Sequence, residues 1–242
     1  QEYFPPAQKW SKLNHIPSFE ENSESLNPNL LEGDMIISPQ QVRGLLLGQS
    51  RSARFVRRWP NGMVPYTIDW SLEREDVAKS VIAAAIEEWT NKTCLQFKER
   101  TSERAYVTFR IGSGCSASVG YQGYQQFVNL APGCWHMGTV AHEIGHALGF
   151  FHEQSRLDRD RFVRVVWYNI QKGMGYNFMK VNHINSLEEP YDFDSVMHYG
   201  RTFFSKKGRP TLFPRKKGIE FGQRERESEG DARQMNKMYN CP

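Results

Sequence analysis

The stretch HEIGHALGFFHE, residues 142–153, holds three of the chain's seven histidines within eleven positions. His142 and His146 are four residues apart, so both imidazoles project from the same face of a helix with 3.6 residues per turn. Gly149 is of the type that ends helices and allows a sharp turn, after which His152 can approach the first two histidines from another direction. The spacing therefore predicts a metal site formed by one helix and the turn that follows it.

The same spacing favours a catalytic metal ion over a structural one. Three neutral imidazoles leave one coordination position open, whereas structural zinc sites usually have four protein ligands. Glu143 is about 100° around the helix from the first ligand, where its carboxylate can serve as the general base. Packed, hydrogen-bonded histidines are the alternative, but each fixed residue of H-E-x-x-H-x-x-G-x-x-H has a geometric role. We therefore predict a hydrolase with one catalytic Zn²⁺ held by His142, His146 and His152.

Composition and charge exclude two classes of protein. No apolar run approaches the roughly 20 residues needed to cross a bilayer, so we expect no membrane span. The net charge of +4 is modest, and no block of lysine and arginine interleaves with aromatic residues as in nucleic-acid-binding modules. The chain begins at Gln1 without a basic and apolar leader, so we expect that any secretion signal has been removed or left out.

Four cysteines indicate the compartment. None of Cys94, Cys115, Cys134 and Cys241 belongs to a C-x-x-C pair, which argues against a thiolate zinc site. An even number at wide spacing is typical of two disulfides and of secretion into an oxidising compartment, although buried free thiols would also fit. The spacing leaves all three possible pairings open. An N-K-T sequon makes Asn91 a candidate glycosylation site, which agrees with secretion.

The pattern along the chain predicts two parts. Residues 1–49 are rich in Pro, Asn, Ser and Glu and carry more acidic than basic groups, whereas the remainder is basic. Residues 50–58, SRSARFVRR, contain four arginines, and exposed basic linkers are favoured cutting sites for trypsin-like proteases. We therefore place a boundary after residue 49, between a segment at 1–49 and a globular domain at 50–242. The opposite charges of the two parts suggest that they attract each other, and a solvated, weakly structured tail at 1–49 is the alternative.

The globular part shows both helix and strand patterns. Apolar residues recur at helical spacing in residues 73–90, 138–148 and 228–239. Strand patterns with flanking turn residues occur in MVPYTIDW, AYVTFRI, GCSASVGYQG and QQFVNLAPG. Pro65 in the first of these strands favours a sheet edge, because proline cannot donate to a sheet ladder. Helices and strands segregate along the chain, so the predicted fold class is α+β.

The motif at residues 142–153 resembles the zinc motif of the metzincin proteases, and a glutamate directly after the third histidine is typical of the astacin family. SVMHY, residues 195–199, resembles the Met-turn of that family. WPNGMVPY and RLDRDRFVRVVWYNI, which begin at Trp59 and Arg156, resemble two more of its segments. The resemblance covers roughly residues 50–242. It implies a metzincin-type catalytic domain in which an upper half of sheet and helices and an irregular lower half flank a zinc cleft.

For function, the resemblance implies a secreted zinc endopeptidase that cleaves protein or peptide substrates, bound in extended form along an edge strand near residues 115–121. Glu143 would act as the general base and then as the acid. Tyr199 would be a fifth zinc ligand at rest and would stabilise the oxyanion. Met197 would form the floor beneath the metal ion, and Glu153 would pair with the new N-terminus after activation. The disulfide pairs implied are Cys94–Cys241 and Cys115–Cys134.

Residues 31–34, LEGD, resemble the F-x-G-D motif with which the pro-segment of astacin zymogens places an aspartate on the zinc ion. The resemblance implies that the chain is a zymogen, in which Asp34 of an inhibitory pro-segment at residues 1–49 ligates the metal. Leu31 replaces the aromatic residue of the motif but is still apolar. A turn in an acidic tail is the alternative. An activating protease would cut between Ser50 and Arg54.

Two other functions are left open by the sequence. A different metzincin class is disfavoured by Glu153, by the tyrosine two residues after Met197, and by the lack of cysteine in residues 1–49. A catalytically inactive binding protein on the same scaffold is disfavoured by the presence of Glu143, because loss of the general base would be the simplest route to an inactive relative.

Overall fold

The structure is a computed structural model, and it describes residues 30–42, 56–181 and 185–242. Its strands are β1 (Met35–Ile36), β2 (Met63–Ile68), β3 (Gln96–Glu99), β4 (Tyr106–Arg110), β5 (Cys115–Ser118), β6 (Gln125–Leu130), β7 (Val163–Val165) and β8 (Leu212–Pro214). Its fully described α-helices are α1 (Asp76–Lys92), α2 (Met137–Leu148) and α3 (Glu229–Tyr239). Within the described ranges, none of the helices has the length and apolar character that a membrane span requires.

Six strands form one mixed sheet in the order β1-β5-β6-β4-β2-β3. Strands β6, β4, β2 and β3 are parallel neighbours, whereas β5 is antiparallel to β6. Strand β1 extends the sheet at the β5 edge and runs parallel to β5, with Met35 opposite Ala117 and Ile36 opposite Ser118. A mixed sheet packed against helices confirms the predicted α+β class.

Helix α1 packs one face into the main core. Its buried residues, Ala78, Ile82, Ala85 and Trp89, recur every three or four positions, as an amphipathic helix requires. The Trp89 indole N–H donates to the carbonyl of Ala141 in α2 at 3.0 Å. This hydrogen bond joins the two helices one residue before the first histidine of the motif, so the main core directly supports the site.

Helix α2 is buried on nearly every side, because every residue from 140 to 148 is enclosed by the protein. It ends where the sequence predicts. Gly149 has a φ of 121°, and its N–H donates to the carbonyls of Gly145 and His146. A positive φ of this kind is accessible to glycine at little steric cost. The chain can therefore reverse direction directly after the helix and bring His152 back towards it.

The region between α2 and α3, which we call the lower half, has little regular structure and its own apolar cluster. Strands β7 and β8 form an antiparallel pair with Val163 opposite Pro214. The cluster beside them is largely aromatic and contains Val163, Ile170, Phe178, Tyr191, Tyr199, Phe203, Phe204 and Leu212. Aromatic side chains bury a large area each, so they can stabilise a region that has few backbone ladders.

Two disulfide bonds tie the ends of elements together. Cys94, which follows α1, is bonded to Cys241, which follows α3. Cys115 of β5 is bonded to Cys134 in the turn before α2. These are the two pairs that the family resemblance implies.

One strand position differs from the expectation. Strand β2 lies between β4 and β3, so the sheet-edge position expected from Pro65 is wrong. Pairing of β2 with β4 begins only at Tyr66, one residue after the proline. The missing N–H therefore falls at the end of that ladder, where proline is tolerated inside a sheet.

The domain boundary after residue 49 lies outside the described residues and stays a prediction.

Gly138 in α2 provides a test of how tightly the motif helix is held. A Cβ built there would lie 2.0 Å from the carbonyl oxygen of Arg224. We expect Gly138→Ala to lower the free energy of unfolding by about 1–3 kcal/mol, the usual range for overpacking, although alanine is the better helix former. Urea unfolding with the disulfides intact measures this change.

Gly175→Ala is the matched control, because a Cβ there meets nothing closer than 3.8 Å. Equal stability of the Gly138→Ala and Gly175→Ala variants would contradict the close approach of α2 to Arg224.

Candidate metal centre

The three motif histidines converge on one point. His142 and His146 lie on α2, and their Nε2 atoms are 3.1 Å apart. His152 follows the turn at Gly149, and its ring centroid lies 4.8 Å from that of His146. The three imidazoles are completely or almost completely buried. The positions expected from the motif spacing are thus brought together in space.

A fourth side chain, that of Asp34, faces the three imidazoles. Its Oδ2 atom lies 3.1 Å from Nε2 of His142 and 3.0 Å from Nε2 of His152, and its Oδ1 atom lies 3.4 Å from Nε2 of His146. The candidate ligand atoms of these four residues all lie within 4.8 Å of one another. Burial would raise the pKa of Asp34, but His152 and His146 outweigh it and hold this pKa well below its ordinary value.

The second ring nitrogens orient the imidazoles. Nδ1 of His142 bonds the carbonyl of Val196, and Nδ1 of His146 bonds the carbonyl of Phe150, both at 2.8 Å. A carbonyl oxygen can only accept, so each Nδ1 carries the proton and each Nε2 directs a lone pair at the centre. Hydrogen-bonded outer nitrogens of this kind are a general feature of metal-binding histidines.

The partner of the third imidazole is different. Nδ1 of His152 lies 2.6 Å from Oε2 of Glu32, a residue that is almost fully buried. Glu32 and Asp34 lie on one tight loop, because Leu31 and Met35 close it with two backbone hydrogen bonds of 2.9 and 3.0 Å. Glu32 and Gly33 have φ values of 54° and 94°. This turn aims both carboxylates of the loop into the site.

This donor set fits a divalent cation. Two buried carboxylates face three imidazoles, and buried negative charge needs a positive partner. When only protein groups are present, the negative charge is balanced by a second proton on an imidazole. Burial lowers the pKa of His152, but Asp34 and Glu32 outweigh it and raise it to about 9. Burial and the charge of Arg224 lower the pKa of His142 to about 3. Three nitrogens and one carboxylate oxygen match the usual ligand number and ligand types of Zn²⁺.

Met197 lies under the motif helix. A Cβ built at Gly145 would be 2.8 Å from Sδ of Met197, so only a glycine leaves room for the thioether in this position. The turn that carries Met197 is held from α3. Asp231 accepts from the Ser195 hydroxyl at 2.6 Å and from the Val196 N–H at 2.9 Å. Helix α3 therefore holds the turn that carries Met197 in place against α2.

Glu143 and Tyr199, the two residues expected to act in catalysis, are both buried next to a motif histidine, Glu143 in sequence and Tyr199 in space. Glu143 is fully buried on α2, directly after His142. Tyr199 is also fully buried, with its ring centroid 4.6 Å from that of His152. Its hydroxyl donates to the backbone carbonyl of Glu32. In this arrangement the tyrosine is held by the same loop that carries Asp34.

Glu153 lies below the surface. Its Oε1 atom accepts from Nη1 of Arg156 at 2.9 Å and from the N–H of Asp192 at 2.8 Å. Burial raises its pKa to about 8, although Arg156 opposes the shift. A cavity of about 280 Å³ lies beside it, lined also by Val56 and Met238. Glu153 thus lines a pocket that also reaches His152, but it is not one of the four side chains that converge on the metal centre.

Sequence reasoning missed Glu32. The signal was present in LEGD, where two acidic residues flank a glycine, but only Asp34 was assigned a role. Asn91, the candidate glycosylation site, is exposed near the end of α1, and its modification stays a prediction.

Comparison with known proteins agrees with this geometry. The model of the Astacin peptidase family matches residues 51–240. Zinc metalloproteinase nas-4 of Caenorhabditis elegans is 44% identical over 88% of the chain and 70% of its own length. Human meprin A subunit beta is 39% identical over 90% of the chain but only 31% of its own length.

The fold is also similar to that of a solved zinc protease. High choriolytic enzyme 1, a hatching enzyme zinc-protease from the medaka fish Oryzias latipes, matches with a TM-score of 0.71 and 38% identity. The match covers 77% of this chain and 94% of that one.

The role of Glu32 at the metal centre can be tested without measuring activity. We expect the uncut Glu32→Ala variant to bind its metal ion about tenfold or more weakly than the wild-type chain, measured in competition with a chelator. This is the usual effect of removing a hydrogen-bond partner of a metal ligand. Glu32→Gln should lose less, because its amide oxygen can still accept from Nδ1 of His152. A chromophoric chelator and metal analysis give the affinities.

Glu87→Gln is the control, since Glu87 is exposed on α1. Metal retention by Glu32→Ala equal to that of this control would show that Glu32 does not support the third ligand.

Proposed function

The chain belongs to the astacin family of zinc metalloendopeptidases, and we propose that it is a secreted endopeptidase held latent by its own N-terminal segment. The observation that carries the proposal is the contact of the Asp34 carboxylate with all three motif imidazoles. The chain spans 70% of the length of nas-4 and only 31% of the length of meprin A subunit beta. The substrates and the activity of the whole protein are therefore part of the proposal.

The site residues suit peptide hydrolysis. His142, His146 and His152 would hold Zn²⁺, which when bound polarises a carbonyl and lowers the pKa of a water molecule. Glu143 lies on the rigid, buried helix that carries two of the ligands. Its carboxylate would take the proton of the attacking water and deliver it to the departing amine. Placement on a helix rather than a loop keeps such a group in position.

Tyr199 would complete the site only after the loop departs. Its hydroxyl now donates to the Glu32 carbonyl. Once that acceptor is gone, the phenol can donate to the negative charge that develops on the substrate carbonyl oxygen. Loss of residues 1–49 would thus free the tyrosine as well as the metal position.

The loop that carries Asp34 also occupies the sheet edge. The N–H of Ala117 donates to the Asp34 carbonyl at 2.9 Å, and the N–H of Val119 donates to the Ile36 carbonyl at 3.1 Å. Extended peptides are commonly bound by addition to such an edge. An extended substrate would need these same two backbone donors, in β5 and just after it. This overlap supports latency through two blocks at once, at the metal and at the sheet edge.

Activation would involve the cavity beside Glu153. The expected cut between Ser50 and Arg54 lies outside the described residues. Val56, soon after that stretch, already lines the cavity together with Glu153. A new amino terminus a few residues before Val56 is within chain reach of this space, where its positive charge would meet the Glu153 carboxylate. The two disulfides support folding in an oxidising compartment and hence secretion.

The Asp34→Ala variant tests latency. Hydrogen bonds to a charged group contribute about 1.5–3 kcal/mol, so loss of this carboxylate should raise the peptidase activity of the uncut chain by about tenfold or more. Cleavage of a fluorogenic peptide, with the chain length checked on a gel, measures this. Asp76→Ala, at an exposed carboxylate on α1, is the control. An Asp34→Ala chain that stays silent until it is cut would contradict the proposal.

The Glu143→Gln variant separates an enzyme from a binding protein. After limited trypsin treatment, we expect the wild-type chain to cleave the peptide, to lose activity with a chelator and to regain it with Zn²⁺. Glu143→Gln should retain the metal but lose about 10²–10⁴-fold in rate, the usual contribution of a general base. Activity that ignores the chelator, or an unchanged rate in Glu143→Gln, would rule out the assigned chemistry.

A further inference from the structure

Two stretches of the lower half contain basic residues but no acidic ones. Residues 161–180 and 195–219 contain eleven lysines and arginines and no aspartate or glutamate, whereas the whole chain has 31 basic and 27 acidic residues. We call these two ranges the basic lobe. Its cations are Arg161, Arg164, Lys172, Lys180, Arg201, Lys206, Lys207, Arg209, Arg215, Lys216 and Lys217.

The two ranges of the basic lobe fold against each other. Strands β7 and β8 pair between them, and Ile170 forms a β-bridge with Ser205. The N–H of Lys206 donates to the Asn169 carbonyl at 3.0 Å. The apolar cluster of the lower half lies beneath this layer.

Two of the cations are paired with carboxylates outside the two ranges, Lys180 with Asp160 and Arg201 with Glu220. The cations at 206–209 and 215–217 lie on the two loops that flank β8, which β7 holds in place.

The cations on its loops face solvent. Lys206, Lys207 and Arg209 are exposed on one loop. A Cβ built at Gly208, between them, meets nothing within 4 Å, so the loop tip points away from the protein. Arg215 and Lys216 are exposed on the loop that follows β8, and Gly218 there is equally open. The short strand β8 separates the two loops.

Aromatic rings are exposed among these charges. Tyr168 is 77% exposed and Trp167 is 51% exposed. Nζ of Lys206 lies 3.7 Å from the centroid of the Tyr168 ring. An exposed aromatic face beside an ammonium group offers an apolar surface and a positive charge to the same ligand.

We infer that the basic lobe binds a sulfated polysaccharide. Cations that lie within a Debye length of about 8 Å at physiological salt act together on a polyanion. A flexible linear polymer can follow two loops that form no closed pocket, and its sugar rings can pack against Tyr168 and Trp167. The two disulfides point to an oxidising compartment, where the polyanions are sulfated glycans rather than nucleic acids. The exposed loops of the lobe, residues 206–209 and 215–217, contain none of the residues that converge on the metal centre.

The experiment measures binding of fluorescently labelled heparin to the full chain over a range of salt concentrations. The test variant is Lys206→Gln/Lys207→Gln/Arg209→Gln. The control is Arg74→Gln/Arg104→Gln/Arg226→Gln, which removes the same charge at exposed positions outside the lobe. Because each neutralised charge contributes about one unit to the slope of log affinity against log salt, we expect the test variant to lose about tenfold or more in affinity and about three units of slope. The control should keep its affinity within about twofold.

A second variant and three further results also test whether the basic lobe binds the polysaccharide. A second variant, Arg215→Gln/Lys216→Gln on the other loop, gives an independent test if the first does not fold, as judged by thermal unfolding. Equal losses in the test and control variants would show a response to net charge only and would overturn the inference. So would tighter binding of single-stranded DNA of equal charge, or a wild-type chain that does not bind heparin.

Discussion

A buried carboxylate surrounded by three imidazoles is the interaction on which the rest of the structure depends. Asp34 contacts His142, His146 and His152 at 3.0–3.4 Å in a region closed to solvent. Such a group is costly to bury unless a positive charge accompanies it. These four side chains can bind a metal ion, and the zinc ion used by the astacin family would provide the positive charge.

Two separate parts of the chain support this centre. The acceptors for His142 and His146 are the carbonyls of Val196 and Phe150, which lie within the residues that match the astacin family model. The acceptor for His152 is Glu32, which belongs to the N-terminal segment. In the proposed function, activation would remove the blocking ligand, one outer-shell acceptor and the acceptor of the Tyr199 hydroxyl together. Latency would then be a property of one loop rather than of a single residue.

The sequence could predict the parts of the site that depend on local spacing. The i, i+4 histidines, the helix end at Gly149 and the return of His152 follow from helix geometry and from the freedom of glycine. Contacts between distant segments were less accessible. The Glu32–His152 contact joins residues 120 positions apart, and no periodic pattern encodes it. Its neighbour Asp34 could be assigned a role only through the resemblance of LEGD to a family motif.

Two further features show where local patterns are insufficient. Pro65 has the chemistry of an edge residue, but its effect depends on where the neighbouring ladder begins, which is a property of register. The lysines and arginines of the basic lobe look like ordinary turn residues in each stretch. Only the pairing of β7 with β8 shows that the two ranges that contain them lie against each other.

A crystal structure of the zinc-loaded, uncut chain tests the central claim most directly, because it shows which atom occupies the fourth position on the metal. The account predicts a zinc ion bound by Nε2 of His142, His146 and His152 and by a carboxylate oxygen of Asp34, with β1 paired to β5. A zinc ion with three imidazoles and water, and with Asp34 turned away from it in the uncut chain, would contradict the account.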